Sequence, residues 1–192
     1  MHRSLFPLLM VWVLTLSGCA SMIAPFSDQP MDVHHGKRTL GAKIEDQAIE
    51  TKTRVNLKRA GAPLSDQHIV VVSYNRNVLL AGQVANDSLR TQAEQLAKRI
   101  RHVRHVHNEL QVVGAGSALA RANDSWLTTK VKSRLAFAGE APASRTKVVT
   151  ESGIVYLMGL LTREETNAVV EQVQKVYGVQ KIVKIIEYIE TP

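Results

Sequence analysis

The only thiol in this 192-residue chain, Cys19, stands directly after Leu16-Ser17-Gly18, at the end of a short apolar run. A lone thiol can close no intramolecular disulfide, so its sulfur is left for another use. His2 and Arg3 form a small basic start, residues 5–16 are largely apolar but for Pro7, and small residues precede the cysteine. That is the pattern of a cleavable export signal, and the run falls short of the roughly 20 apolar residues that span a bilayer. A second group with chemical potential lies in residues 121–137, where Arg121, Lys130, Lys132 and Arg134 oppose Asp124 alone and Trp126 and Phe137 are interspersed. Cations interleaved with large aromatics suit an anionic, partly apolar surface. His102, His105 and His107 form a third group, and His34-His35 a fourth. The alternation of His105 and His107 with Val103 and Val106 reads as the solvated side of a strand, and adjacent histidines lack the spacing of a preformed metal site. No nucleophile elbow, paired-carboxylate cleft or glycine-rich phosphate loop is present in the sequence, so we expect no enzyme activity, no cofactor, no metal and no small-molecule substrate.

Leu16-Ser17-Gly18-Cys19 resembles the lipobox of bacterial lipoprotein precursors. The resemblance implies a diacylglyceryl thioether on Cys19, cleavage before it, and acylation (palmitate) of the new amino terminus, with residues 1–18 absent from the mature chain. Each buried methylene contributes about 0.8 kcal/mol, and several chains anchor where one is marginal. Ala20 and Ser21, in place of an aspartate after the cysteine, imply the outer membrane and its periplasmic leaflet. Loss of Arg3 leaves 23 basic against 17 acidic side chains. A mildly basic balance fits anionic headgroups or other polyanions. Nucleic acid is not an expected partner, because the basic residues are scattered among acids without a stripe of stacking aromatics.

The elements that must position these groups follow from a duplication. Residues 19–43 are rich in Pro, Gly, Ser, Asp and His and read as a lipidated tether, reaching at most roughly 80 Å and averaging about 27 Å. Beyond it, Val78-Leu79-Leu80-Ala81-Gly82-Gln83-Val84 matches Val155-Tyr156-Leu157-Met158-Gly159-Leu160-Leu161. Asp46, Ile49, Lys52 and Leu57 match Asp124, Leu127, Lys130 and Leu135, and Ile100, Val103 and Val106 match Val176, Val179 and Ile182. The repeat divides the chain into residues 44–113 and 121–192, joined by a linker at 114–120. In each copy a helical period (45–58; 124–137) precedes two strand-like runs (69–74 and 78–84; 147–150 and 154–161). The runs are joined by Asn75-Arg76-Asn77 and by Ser152-Gly153. A second amphipathic helix follows, opened in the second copy by the capping-box pair Thr162 and Glu165, and a last strand closes each copy (106–113; 179–189). The order αββαβ predicts an α+β fold with two helices on one face of a small mixed sheet.

Two such copies, each with an apolar strand ending in glycine (Val-Leu-Leu-Ala-Gly82; Val-Tyr-Leu-Met-Gly159) and a valine-rich turn into the last strand (Val103-Arg104-His105-Val106; Val179-Gln180-Lys181-Ile182), resemble tandem BON domains. With the lipobox and the segment from Asn123 to Ser133, the chain is similar to dual-BON outer-membrane lipoproteins. That resemblance implies a non-enzymatic protein that binds anionic phospholipid through the first helix of the second BON domain, gathers at cell division sites and supports outer-membrane integrity. Trp126, Lys130, Ser133, Arg134 and Phe137 are then the candidate phospholipid-binding residues. The alternative is an adaptor that docks on an envelope assembly or cell-wall-remodelling protein.

Helical geometry gives an independent reading of the same segment. At about 100° per residue Leu127, Val131, Leu135 and Ala138 occupy an arc of about 80°, enough for a core stripe. Trp126 and Phe137 fall at about −100° and −80° from Leu127, with Lys130 near −60° and Arg134 near −20°. The two aromatics either widen the buried stripe, pack on the other copy, or face a membrane. Their counterparts in the first copy are Ala48 and Arg59, so the fold does not require aromatics there.

Overall fold

The computed structural model describes residues 36–113, 118–139 and 141–190. The first copy runs α1 (Leu40–Arg59), β1 (His68–Tyr74), β2 (Asn77–Val84), α2 (Asp87–Lys98) and β3 (His105–Val112). The second repeats it as α3 (Ala118–Phe137), β4 (Thr146–Glu151), β5 (Ile154–Leu161), α4 (Arg163–Gln174) and β6 (Lys181–Tyr188). A short 3-10 turn precedes the first strand of each copy. The expected αββαβ order is therefore present twice.

Both leading helices start earlier than the periodicity suggests. Thr39 accepts a hydrogen bond from the Ala42 amide at 3.1 Å and caps α1, so helix occupies residues 40–43 of the segment expected as tether. Side-chain capping of an orphan amide is worth about 1 kcal/mol, enough to extend a helix by a turn. α3 likewise takes residues 118–120 from the expected linker. Residues 19–35 of the expected tether, Cys19 among them, and the signal segment lie outside the described residues.

In each sheet the middle strand is the second of its copy. β2 pairs antiparallel with β1 and parallel with β3, and β5 does the same with β4 and β6. Asn75 and Arg76 have φ of 49° and 64°, Ser152 and Gly153 of 52° and 73°. These are two-residue hairpin turns of the kind that matches strand twist. Asn77, expected in the turn, is instead the first residue of β2, paired with Tyr74.

A buried aspartate from the leading helix holds each turn. Asp46 accepts from the Asn75 and Arg76 amides, both at 2.8 Å, and from Ser73 Oγ at 2.7 Å. Asp124 accepts from the Ser152 amide at 2.7 Å and the Gly153 amide at 2.8 Å. Helix and hairpin are thereby locked in the same register in both copies. Asp124→Ala would strand two amide donors, and a loss of about 1–3 kcal/mol is expected, read as a lower urea midpoint with an unchanged slope.

The helices of each copy cover one face of its sheet. Ile49 and Leu57 of α1 and Leu89, Ala93 and Ala97 of α2 pack on Val78, Leu80 and Val84 of β2. The second copy repeats this with Leu127, Val131, Leu135, Val169 and Val173 over Val155, Leu157 and Leu161. The opposite faces meet each other. Val72, Tyr74, Leu79 and Ala81 of the first sheet form a single core with Tyr156, Met158, Leu160 and Ile185 of the second. The layers run helix, sheet, sheet, helix.

Polar contacts border this inter-sheet core. Gln83 Nε2 donates to Glu151 Oε1 at 2.9 Å and to Ser152 Oγ at 2.8 Å, and Tyr74 Oη donates to the Arg145 carbonyl at 2.7 Å. Glu187 of β6 accepts from Asn75 at 2.8 Å and from Arg104 at 3.1 Å. Lys147 Nζ donates to Glu50 at 3.2 Å. Gly82, at φ 121°, lies so close to β1 that a Cβ would sit 2.1 Å from the His68 carbonyl oxygen; a side chain there would force the strand pair apart.

Candidate functional site

α3 divides its surface as the helical angles predict. Leu127, Val131 and Leu135 are buried in the second copy's core, and Ala138 packs against it half-buried. The core stripe is thus complete without aromatics. Trp126 is 64% exposed and Phe137 89%. Neither widens the buried stripe nor packs on the first copy.

Trp126, Lys130, Ser133 and Phe137 follow one another at spacings of four, three and four residues, which aligns them along one side of the helix. Ser133 is exposed, Lys130 half-buried, and Arg134 exposed beside them. Lys130 Nζ donates to the Tyr177 carbonyl at 3.0 Å and lies 6.0 Å from the Tyr177 ring centroid. Arg134 Nε donates to Gln172 Oε1 of α4 at 3.1 Å. Both cations are therefore oriented by neighbouring structure while each keeps further N–H donors. Asp124, the acid expected to offset this charge, is buried and committed to the hairpin amides. The exposed side of the helix is left basic and aromatic.

Tyr177 is a residue that the sequence analysis did not single out. It lies in the turn between α4 and β6, 93% exposed, followed by Gly178 at φ 104°. The duplication carried the signal: Val176 and Val179 match Ile100 and Val103, so Tyr177 stands where the first copy has Arg101.

The histidines go to separate partners. His102 Nδ1 lies 2.8 Å from Glu45 Oε1, and His105 Nδ1 lies 3.2 Å from Asn77 Oδ1. Burial, and secondarily the neighbouring His105, hold His107 below its usual value, which favours its neutral form. His102 has φ 72°, the left-handed turn conformation that Gly178 adopts in the second copy. Among the described residues no group of three or more His, Cys, Asp or Glu side chains is placed to hold a metal ion. No helix among them is long and apolar enough to cross a membrane. Cys19 and His34-His35 lie outside the described residues.

A duplicated αββαβ unit with a central glycine-bearing strand defines the class. The chain belongs to the BON domain family, which matches residues 45–114 and 123–190. It is 34% identical over 175 residues to the outer membrane lipoprotein DolP of Haemophilus influenzae, covering 91% of each chain. It is also 34% identical over 156 residues to a 21 kDa hemolysin of Actinobacillus pleuropneumoniae, covering 80% of this chain and 79% of that one. The osmotically-inducible protein Y of Escherichia coli is 27% identical over 147 residues, covering 76% of this chain and 73% of its own.

Proposed function

We propose that this chain is an outer-membrane lipoprotein, acylated at Cys19 and held in the periplasmic leaflet, that binds anionic phospholipid through α3 and supports membrane integrity at division sites. It is a binding protein and not a catalyst. The observation that carries the reading is the exposure of Trp126 and Phe137 on a helix whose core stripe is already full. Lys130 and Arg134 beside them supply the attraction, each cation near an anionic surface contributing about 1 kcal/mol. Interfacial aromatics supply the rest, with rings in the acyl boundary and, for tryptophan, the N–H toward water. The likeness to the outer membrane lipoprotein DolP supports the location. The acyl anchor would hold the domains within a tether length of the bilayer, so a weak site acts at high effective concentration.

The test is the partition of the mature chain, with Cys19→Ser to remove the anchor, onto vesicles with and without anionic lipid. Binding is expected only to the anionic vesicles. It should weaken as added salt shortens the screening length from about 10 Å at 0.1 M to about 3 Å at 1 M. Lys130→Glu with Arg134→Glu should lower it more than about tenfold. Binding indifferent to salt and to these charges would refute the electrostatic part of the reading.

A further inference from the structure

We infer that the lipid-contacting surface has a second half outside α3: the turn between α4 and β6, where Tyr177 enters the bilayer interface and holds Lys130 for a lipid phosphate. The inference rests on the membrane reading of α3 and extends it to a residue and an element that the reading does not include.

Three observations converge on this turn. Tyr177 is the most exposed of the large apolar or aromatic side chains among the described residues, at 93%. Its backbone carbonyl accepts the Lys130 ammonium at 3.0 Å, which ties the turn to the middle of the α3 stripe. Gly178 brings the chain close enough that a Cβ there would lie 3.9 Å from Lys130 Nζ and 3.6 Å from Leu127 Cδ1. The turn is therefore seated against the helix. The duplication isolates the difference between copies: the first has Ala48, Arg59 and Arg101 where the second has Trp126, Phe137 and Tyr177. All three aromatic replacements are exposed in the second copy, and none belongs to its core.

Charge and shape point to one occupant. An ammonium has three donors, and Lys130 uses one on the Tyr177 carbonyl, leaving two for a phosphate oxygen. Tyrosine, like tryptophan, suits the headgroup level, with an apolar ring and a wet hydroxyl. Trp126 and Phe137 on the helix and Tyr177 on the turn would place aromatics on two separate elements around the same cation. The ligand class is a glycerophospholipid with an anionic headgroup, bound as part of a bilayer.

The mature chain offers a direct probe, because Trp12 lies in the signal segment and Trp126 is then its only tryptophan. In the Cys19→Ser chain, Trp126→Phe with Tyr177→Trp moves the single reporter to the turn. On anionic vesicles carrying lipids brominated near the headgroup end of the acyl chain, its emission is expected to shift to the blue and be quenched. Emission from the Tyr177→Trp reporter that stays unquenched on vesicles that bind the chain would overturn the inference while leaving the α3 reading intact. Failure of the parent chain to bind anionic vesicles at all would instead remove the α3 reading, and the inference with it. Tyr177→Ser is expected to weaken partition about tenfold, the effect of losing partial burial of an aromatic side chain, whereas Tyr177→Phe should keep most of it. Unchanged partition of Tyr177→Ser would count against the turn.

Discussion

Trp126→Ala is expected to reduce the partition of the Cys19→Ser chain onto anionic vesicles by more than about tenfold. The scale follows from burying a large aromatic side chain, about 1.5–3 kcal/mol, with about 1.4 kcal/mol for each factor of ten. The folded domain should hardly notice, since Trp126 is 64% exposed and surface substitutions usually change stability by no more than about 0.5 kcal/mol. Vesicle flotation and a urea titration of the same variant separate the two effects. A large loss of stability would mean that the indole supports the core, and an undiminished partition would mean that it does not meet lipid. Phe137→Ala should add to the defect. In the acylated protein the Trp126 variant should stay in the membrane fraction, because the acyl chains provide the attachment, yet spread evenly around the envelope. If fluorescence imaging shows it still concentrated as in the wild type, a protein partner sets its position and the adaptor reading replaces the lipid one.

Tyr156→Ala should be the most damaging single change for stability, about 3–5 kcal/mol as for other buried aromatics truncated to alanine. Tyr156 is fully buried between the sheets with Met158, Leu160, Leu79 and Ala81. Because this core draws on both copies, wild type and variant should each unfold in one transition, with the two copies melting together. Two resolved calorimetric transitions would show that the copies are energetically independent. Burial, aided by the charges of Glu109 and Glu151, pushes the Tyr156 hydroxyl from 10.0 up to about 12. The unfolded chain then loses this proton at lower pH than the folded one, so the contribution is complete below pH 10 and is lost as pH rises toward 12. Tyr156→Phe, which cannot ionise, should flatten that alkaline decline.

Trp126 and Phe137 show why one part of this molecule is legible in the sequence and another is not. Helical spacing put Leu127, Val131 and Leu135 on one stripe and Trp126 and Phe137 off it, since 3.6-residue geometry is local. Spacing alone left open whether another element covers the aromatics. That depends on where the first copy packs, a contact between residues some 70 or more positions apart in the chain. Tyr177 was harder still, being a lone aromatic in a turn without periodicity. Only its approach to Lys130 ties it to the helix.

The meeting of the two sheets left a mark that alternation rules did not extract. Residues 78–84 and 154–161 are apolar at nearly every position, the pattern of strands buried on both sides, whereas two helices per copy cover only one. Local chemistry in the chain accounted for the duplication, the αββαβ order, the Thr162–Glu165 cap and the core stripes, because each is written in neighbours a few residues apart. The partner of the second sheet face, the burial of Asp46 and Asp124 against hairpin amides, and the exposure of Trp126, Phe137 and Tyr177 depend on which distant segments exclude water from a surface, and that was settled when the chain folded.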